Sequence, residues 1–339
     1  MQFRSHSSLL NRPKGRKLPV ASLLVLACLF QGIAYGNPLE PEAKFACHVN
    51  LNALRETRLG QSLIHETCRM TQEELGSAED PQAKIAKTLG FNPFEEVQSV
   101  TVRSDSLEDP TGIQIQLNVG KTTGNLEGLM LTAPGYESEE LNGYTIHSSD
   151  LERNRAYVSI HTAKDGNKSI FATLDQPKLM KTLDAISNDN PKTTIDGQMD
   201  PSAILHLHIH DLPTELRESI EAGNPMRNIV QFVSAIDLVV IESQQNFELS
   251  LNITAISDSK ATQLDQLARG ALAYLELIED QKRDDEEFKT LMTIMESVDF
   301  GSEGKTFSAT ATISEDFVLE FLRKEAQLEF SVYEEDTAK

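Results

Sequence analysis

The stretch Ile204-Leu205-His206-Leu207-His208-Ile209-His210-Asp211 alternates three histidines with aliphatic residues. A β-strand sends successive side chains to opposite faces. His206, His208 and His210 therefore share one face, and Leu205, Leu207 and Ile209 the other. A fainter form of the pattern lies upstream at Cys47-His48-Val49-Asn50-Leu51-Asn52-Ala53-Leu54. The two stretches superpose at an offset of 158 residues. Farther along, Ile170-Phe171-Ala172-Thr173-Leu174-Asp175 superposes on Ala309-Thr310-Ala311-Thr312-Ile313-Ser314 at an offset of 139.

Between these anchors the element order recurs. In the first segment, strands are expected at 44–54, 97–103, 112–119, 141–148, 156–162 and 169–174. Helices are expected at 57–75, 82–89 and around 125–131, and after the N-cap Asp175. In the second, strands are expected at 203–212, 236–242, 246–256 and 305–313. Its helices are expected at 214–222, 226–235, from 258 to about 283, from there to about 298, and at 315–328. An extra hairpin in the first segment accounts for the 19 residues by which the two offsets differ.

Every clear strand is apolar on one face only; Ile113, Ile115, Leu117 and Val119, for example, alternate with Gln114, Gln116 and Asn118. A parallel α/β sheet buries both faces and reads as continuous aliphatic sequence. The expected fold is therefore α+β: two related copies of strand–helix–strand–strand–helix–strand–helix, with a mainly antiparallel sheet and helices on one face. The copies fall at 37–187 and 201–330, joined by a polar linker at 188–200 and followed by an acidic tail at 331–339.

Residues 1–36 stand outside this plan. Arg4, Arg12, Lys14, Arg16 and Lys17 precede an apolar run from Leu18 to Phe30, and Ala34-Tyr35-Gly36 supplies a small-x-small cleavage pattern. This is the form of a secretory signal peptide, too short and wrongly flanked for a permanent span. Val25-Leu26-Ala27-Cys28 also resembles a lipobox, which would leave a lipidated Cys28. The expected location is exported, periplasmic or extracellular, with no membrane span after signal removal.

The whole chain has 31 basic and 52 acidic residues, a net charge of −21. Loss of the leader removes five bases and no acid, giving −26. So acidic a surface excludes nucleic acid as a partner and leaves a protein or a small polar ligand.

Export places Cys47 and Cys68 in an oxidising compartment. Cys47 falls on the strand face of Phe45 and Val49, and Cys68 continues the helical stripe of Leu59, Leu63 and Ile64. A disulfide between them is expected, closing a 21-residue loop.

Two histidines at i and i+2 on a strand can share one metal ion, so His206 and His208 with His48 form a candidate zinc or copper site. His161, Asp211 and Glu248 are other candidate third ligands. His206 and His210 lie about 13 Å apart along a strand and cannot share an ion. Nucleophile elbows, zinc-protease helices, phosphate loops and dinucleotide fingerprints are missing from the sequence. The leading expectation is an exported non-catalytic binding or structural envelope protein; the alternative is an exported zinc- or copper-binding protein or enzyme using His206 and His208.

Overall fold

The computed structural model describes residues 44–75, 81–106, 109–121, 123, 126–151, 154–187, 202–212, 229–283 and 285–325. The signal peptide, the linker, the helix expected at 214–222 and the acidic tail lie outside these residues.

The alternation that opens each segment forms strands β1 (Phe45–Asn50) and β8 (Leu205–His210), which pair with each other antiparallel. Outward from β1 run β2 (Val97–Ser104), β3 (Ile113–Val119), β7 (Lys168–Thr173), β6 (Asn154–Thr162), β5 (Tyr144–Leu151) and β4 (Glu137–Leu141). Outward from β8 run β9 (Val233–Ser243), β10 (Asn246–Ala255), β12 (Thr306–Ser314) and β11 (Val298–Glu303). The result is one 12-stranded sheet in which every pairing is antiparallel. One transverse row of directly opposed residues reads Ser159, Phe171, Gln116, Thr101, His48, His206, Val239, Ser250, Thr310, Asp299.

The chain departs from the expected strand after Asn50. The Asn50 carboxamide accepts a hydrogen bond from the Ala53 amide (3.0 Å), capping helix α1 (Leu51–Glu56). An asparagine oxygen at an N-cap satisfies one of the amides that a helix start leaves unbonded. Asn52 is consequently helical and leaves the sheet face that His210 shares. Helices α2 (Arg58–Leu75), α3 (Pro81–Leu89) and α4 (Pro93–Glu96) complete the crossover to β2, and the short α5 (Leu126–Met130) follows β3.

Two strands go beyond the alternation pattern. β4, of sequence Glu-Ser-Glu-Glu-Leu, is almost wholly exposed and exists by pairing with β5 across Asn142-Gly143. Both turn residues have positive φ (53° and 83°), the geometry of a tight hairpin that Asn-Gly favours. β11 likewise follows helix α8 (Glu286–Glu296) directly and pairs with β12 through a turn at Gly304.

Each half carries its principal sheet-packed helix on one face, and the halves use opposite faces. Helix α6 (Gln176–Ser187) sets Leu179 and Leu183 on Ile146 and Phe171. By register these share a face with Gln116, Thr101 and His48. Helix α7 (Asp258–Ile278) sets Ala261 and Leu264 on Phe307, Ile253 and Ala309, on the opposite face. The face expected to be bare is therefore closed over β5–β7.

The halves also interlock through helix α9 (Glu315–Glu325), which packs against α2. The Glu315 carboxylate, 2 % exposed, accepts a hydrogen bond from the Leu59 amide (2.6 Å) at the start of α2. Arg58 pairs with Asp316 (2.7 Å) in solvent alongside. A buried carboxylate on a helix N-terminus stabilises through both the amide bond and the helix dipole.

The disulfide expected between Cys47 and Cys68 is not formed; both are free thiols. Helix α2 packs chiefly on α1, α3 and α9, so its stripe does not bring Cys68 onto β1. Cys68 accepts a hydrogen bond from the Gln82 carboxamide (3.4 Å), whereas Cys47 sits between Val102 and Leu207 on the apolar face. Burial pushes the Cys47 thiol above its ordinary range.

Two measurements check this architecture. Glu315→Ala is expected to destabilise by about 1–3 kcal/mol in urea unfolding, since it orphans a buried amide, while Asp316→Ala stays within about 0.5 kcal/mol because its pair is exposed. Protein beginning at Asn37 and denatured without reductant should titrate two thiols. In the native state Cys47 should alkylate slowly at pH 8, because a raised pKa lowers the thiolate fraction.

Candidate functional site: a histidine–aspartate seam

At the middle of the sheet the polar sides of β1, β8 and β9 meet. His48 and His206 are directly opposed across β1 and β8, and His208 is opposed by Ala46 on one side and Asp237 on the other. The i, i+2 spacing of His206 and His208 places both imidazoles within reach of one carboxylate. Asp237 Oδ2 lies 3.0 Å from His206 Nε2 and 3.1 Å from His208 Nδ1. A carboxylate accepts, so ionised Asp237 assigns the proton to Nε2 on His206 and to Nδ1 on His208.

The two bonds differ in setting. The His206 side chain is 10 % exposed and that of His208 39 %, with Asp237 at 33 %. His206 Nδ1 is buried and has no hydrogen-bond partner among the described residues. The His208 ring lies beside that of His210, with centroids 6.4 Å apart and planes inclined by 26°. His210 itself is exposed at the strand end.

His48 turns the other way. Its Nδ1 lies 2.8 Å from Thr101 Oγ1, which joins it to the polar side chains of the first half. There Asn118 donates to Ser99 (2.9 Å), Gln116 donates to Asn118 (3.1 Å), and Ser169 donates to the same Asn118 oxygen (2.8 Å). Thr101, Ser99 and Gln116 are buried. Short hydroxyls between longer amides and imidazoles satisfy one another, so this face is a bonded polar layer.

The candidate metal residues are thus placed together in part. His206 and His208 converge, but on Asp237; His48 is their neighbour by register and bonds elsewhere. Among the described residues no group of three or more His, Cys, Asp or Glu side chains is arranged to hold a metal ion. Of the other candidate ligands, Asp211 pairs with Lys44 (2.9 Å), Glu248 is opposed by Ile241 and Thr312, and His161 lies far out on β6 opposite Ser169.

Asp237 is the residue that sequence reading missed. Its signal was present: a lone acid within Ile236–Ile241, on the face opposite Ile236, Leu238 and Val240.

No family model matches the chain, and no curated protein matches it. The chain is similar to solved structures of TP0453. Crystal form IV aligns at 12 % identity over 86 % of this chain and 98 % of that one, with a TM-score of 0.43. Crystal form III aligns at 11 % identity over 85 % and 99 %, with a TM-score of 0.42. Crystal form I aligns at 13 % identity over 86 % and 99 %, with a TM-score of 0.39. Among the described residues no helix is long and apolar enough to cross a membrane.

The seam makes a measurable claim about coupling. Double-mutant cycles of Asp237→Ala with each histidine→Ala should give an interaction of about 1–3 kcal/mol for His206, whose bond is buried, and under about 1 kcal/mol for His208. Equal couplings would show that burial of His206 does not set the strength of its bond.

Proposed function

We propose that this chain is an exported, non-catalytic protein made of two copies of one α+β unit, and that it binds a protein or a small polar ligand, or serves a structural envelope role, through the polar side of its shared sheet. One observation supports the duplication above others. In the transverse row, His48 is opposed by His206 and Phe171 lies where Thr310 lies in the other half. Those pairs are separated by 158 and 139 residues, the two offsets at which the sequence superposes on itself. Read outward from the centre, β1-β2-β3-β7-β6 and β8-β9-β10-β12-β11 follow one connectivity, and the β4–β5 hairpin is the first copy's addition. An approximate two-fold axis then passes between His48 and His206.

A binding role is favoured over catalysis by the chemistry of the seam. Its polar groups are largely committed to one another, and the hydroxyl that lies against an imidazole, that of Thr101 beside His48, is buried at 1 % exposure. The zinc- or copper-dependent alternative is disfavoured because His206 Nε2 and His208 Nδ1 are both turned onto the Asp237 carboxylate. Export rests on the leader, with Arg4 to Lys17 followed by the apolar run to Phe30.

Mass spectrometry of the processed protein tests the export claim. A mature chain starting at Asn37 is expected. A diacylglyceryl-modified chain starting at Cys28 would replace the free form with an anchored one, and an intact Met1 terminus would remove the reading. For the binding claim, isothermal titration with free amino acids, monosaccharides and a basic peptide is the direct probe. Heat from any of these that disappears in Asp237→Asn supports the polar face; turnover by the purified protein abolished by the same change refutes a non-catalytic role.

A further inference from the structure

Helix α7 is apolar round far more of its circumference than its seat on the sheet requires. At about 100° per residue, the buried stripe of Ala261, Leu264 and Ala268 faces β10, β11 and β12. A second stripe, Leu267, Gly270, Ala271, Tyr274 and Leu277, is centred about 100° away round the helix. Leu267 is 50 % exposed, Tyr274 60 % and Leu277 75 %. A Cβ on Gly270 would meet nothing within 4 Å, so the middle of the stripe is open to close approach.

We infer that this outer stripe is the contact through which two copies of the chain associate, with the α7 helices crossing antiparallel at Gly270–Ala271. The first ground is area. Leu267, Tyr274 and Leu277 alone expose roughly 400 Å², at the size where an apolar patch marks an interaction site. With the flanking surface a helix–helix contact reaches about 600 Å² per copy, at the lower bound for a specific interface. The second ground is self-complementarity. About a two-fold axis between residues 270 and 271, Leu267 of one copy meets Tyr274 of the other, and Gly270 meets Ala271. Isologous contact requires this reciprocity, and the small pair allows the backbones to approach where the large pairs flank them. The third ground is charge. A chain of net charge −21 repels its own copy across most of its surface. The outer stripe carries no acid: Asp258, Asp265 and Glu276 all fall on the far side of the helix. Lys260, whose ammonium donates to Gln263 and lies over the Phe232 ring, borders the stripe, and antiparallel pairing places it toward the partner copy's acidic turn at Glu279-Asp280.

Sedimentation equilibrium of protein beginning at Asn37, from about 1 to 200 μM, tests the inference. A monomer–dimer equilibrium with a Kd near 10 μM is expected, the range for a small apolar contact. Tyr274→Glu and Leu277→Asp should each weaken it at least tenfold with an unchanged circular-dichroism melt, and Thr262→Glu, on the polar arc, should leave it intact. In a Cys47→Ser/Cys68→Ser background, Ala271→Cys should cross-link copies on oxidation while Ala273→Cys does not. A monomer at every concentration overturns the proposal, as does a dimer indifferent to Tyr274→Glu and Leu277→Asp. A monomer that pellets with phosphatidylglycerol vesicles through Tyr274 and Leu277 also overturns it, by showing the stripe to be a lipid contact.

Discussion

The β1–β8 ladder is the constraint on which the rest depends. Strand register is specified wherever the two faces differ in polarity, because a one-residue slip turns every side chain over. Here a slip would carry His206 and His208 among Val100, Val102, Leu238 and Val240, and leave Leu205 and Leu207 beside Asp237. The alternation in Leu205–His210 therefore holds more than its own strand in place. It aligns two six-residue strands that are distant in sequence and so makes one sheet from two segments. Each half ends outward in a short, charged edge strand, β4 with Glu137, Glu139 and Glu140 and β11 with Asp299 and Glu303. Charges on short edges discourage further strand addition, so growth of the sheet is favoured at its centre and opposed at its rims.

The polar side of that sheet is a closed layer in one half and an open one in the other. In the first half Thr101, Ser99 and Gln116 are buried and bonded, and α6 lies over the outer strands. In the second half, Glu248, Thr310 and Thr312 on the same side are exposed, while α7 lies on the reverse. Helix α6, which follows β7, and helix α7, which follows β10, thus lie on opposite sides of one sheet. Phe171 makes the seat for α6. It stands where the other half has Thr310, and its ring gives α6 an apolar seat on an otherwise polar face.

Much of this was legible from alternation. The central strands, the β9–β10 hairpin, the capped helices and the two offsets follow from period-2 patterning and from Asp175, Ser257 and Ser314 at helix starts. What escaped had little hydrophobic signal. β4 is a strand because Asn142-Gly143 turns it back on β5, and its sequence alone reads as an acidic loop. The end of β1 at Asn50 depended on a side chain choosing to cap a helix over continuing a strand, a competition that periodicity does not weigh. The disulfide failed for a related reason. Stripe matching identified the apolar side of α2 but could not say which element it meets, and the Glu315 carboxylate ties the start of that helix to α9.

The histidine run shows the same limit in the candidate site. Spacing along one strand groups His206 with His208, because that geometry is intrinsic to the strand. The third member of a site comes from a neighbouring strand, and its identity depends on register. Register opposes His208 with Asp237, and the bond from His206 to the same oxygen runs diagonally within reach of a long side chain. The Asp237 carboxylate is the group on which both imidazoles converge. In the fold the bonds from His206 and His208 to Asp237 fasten β8 to β9 beside the seam where the halves join.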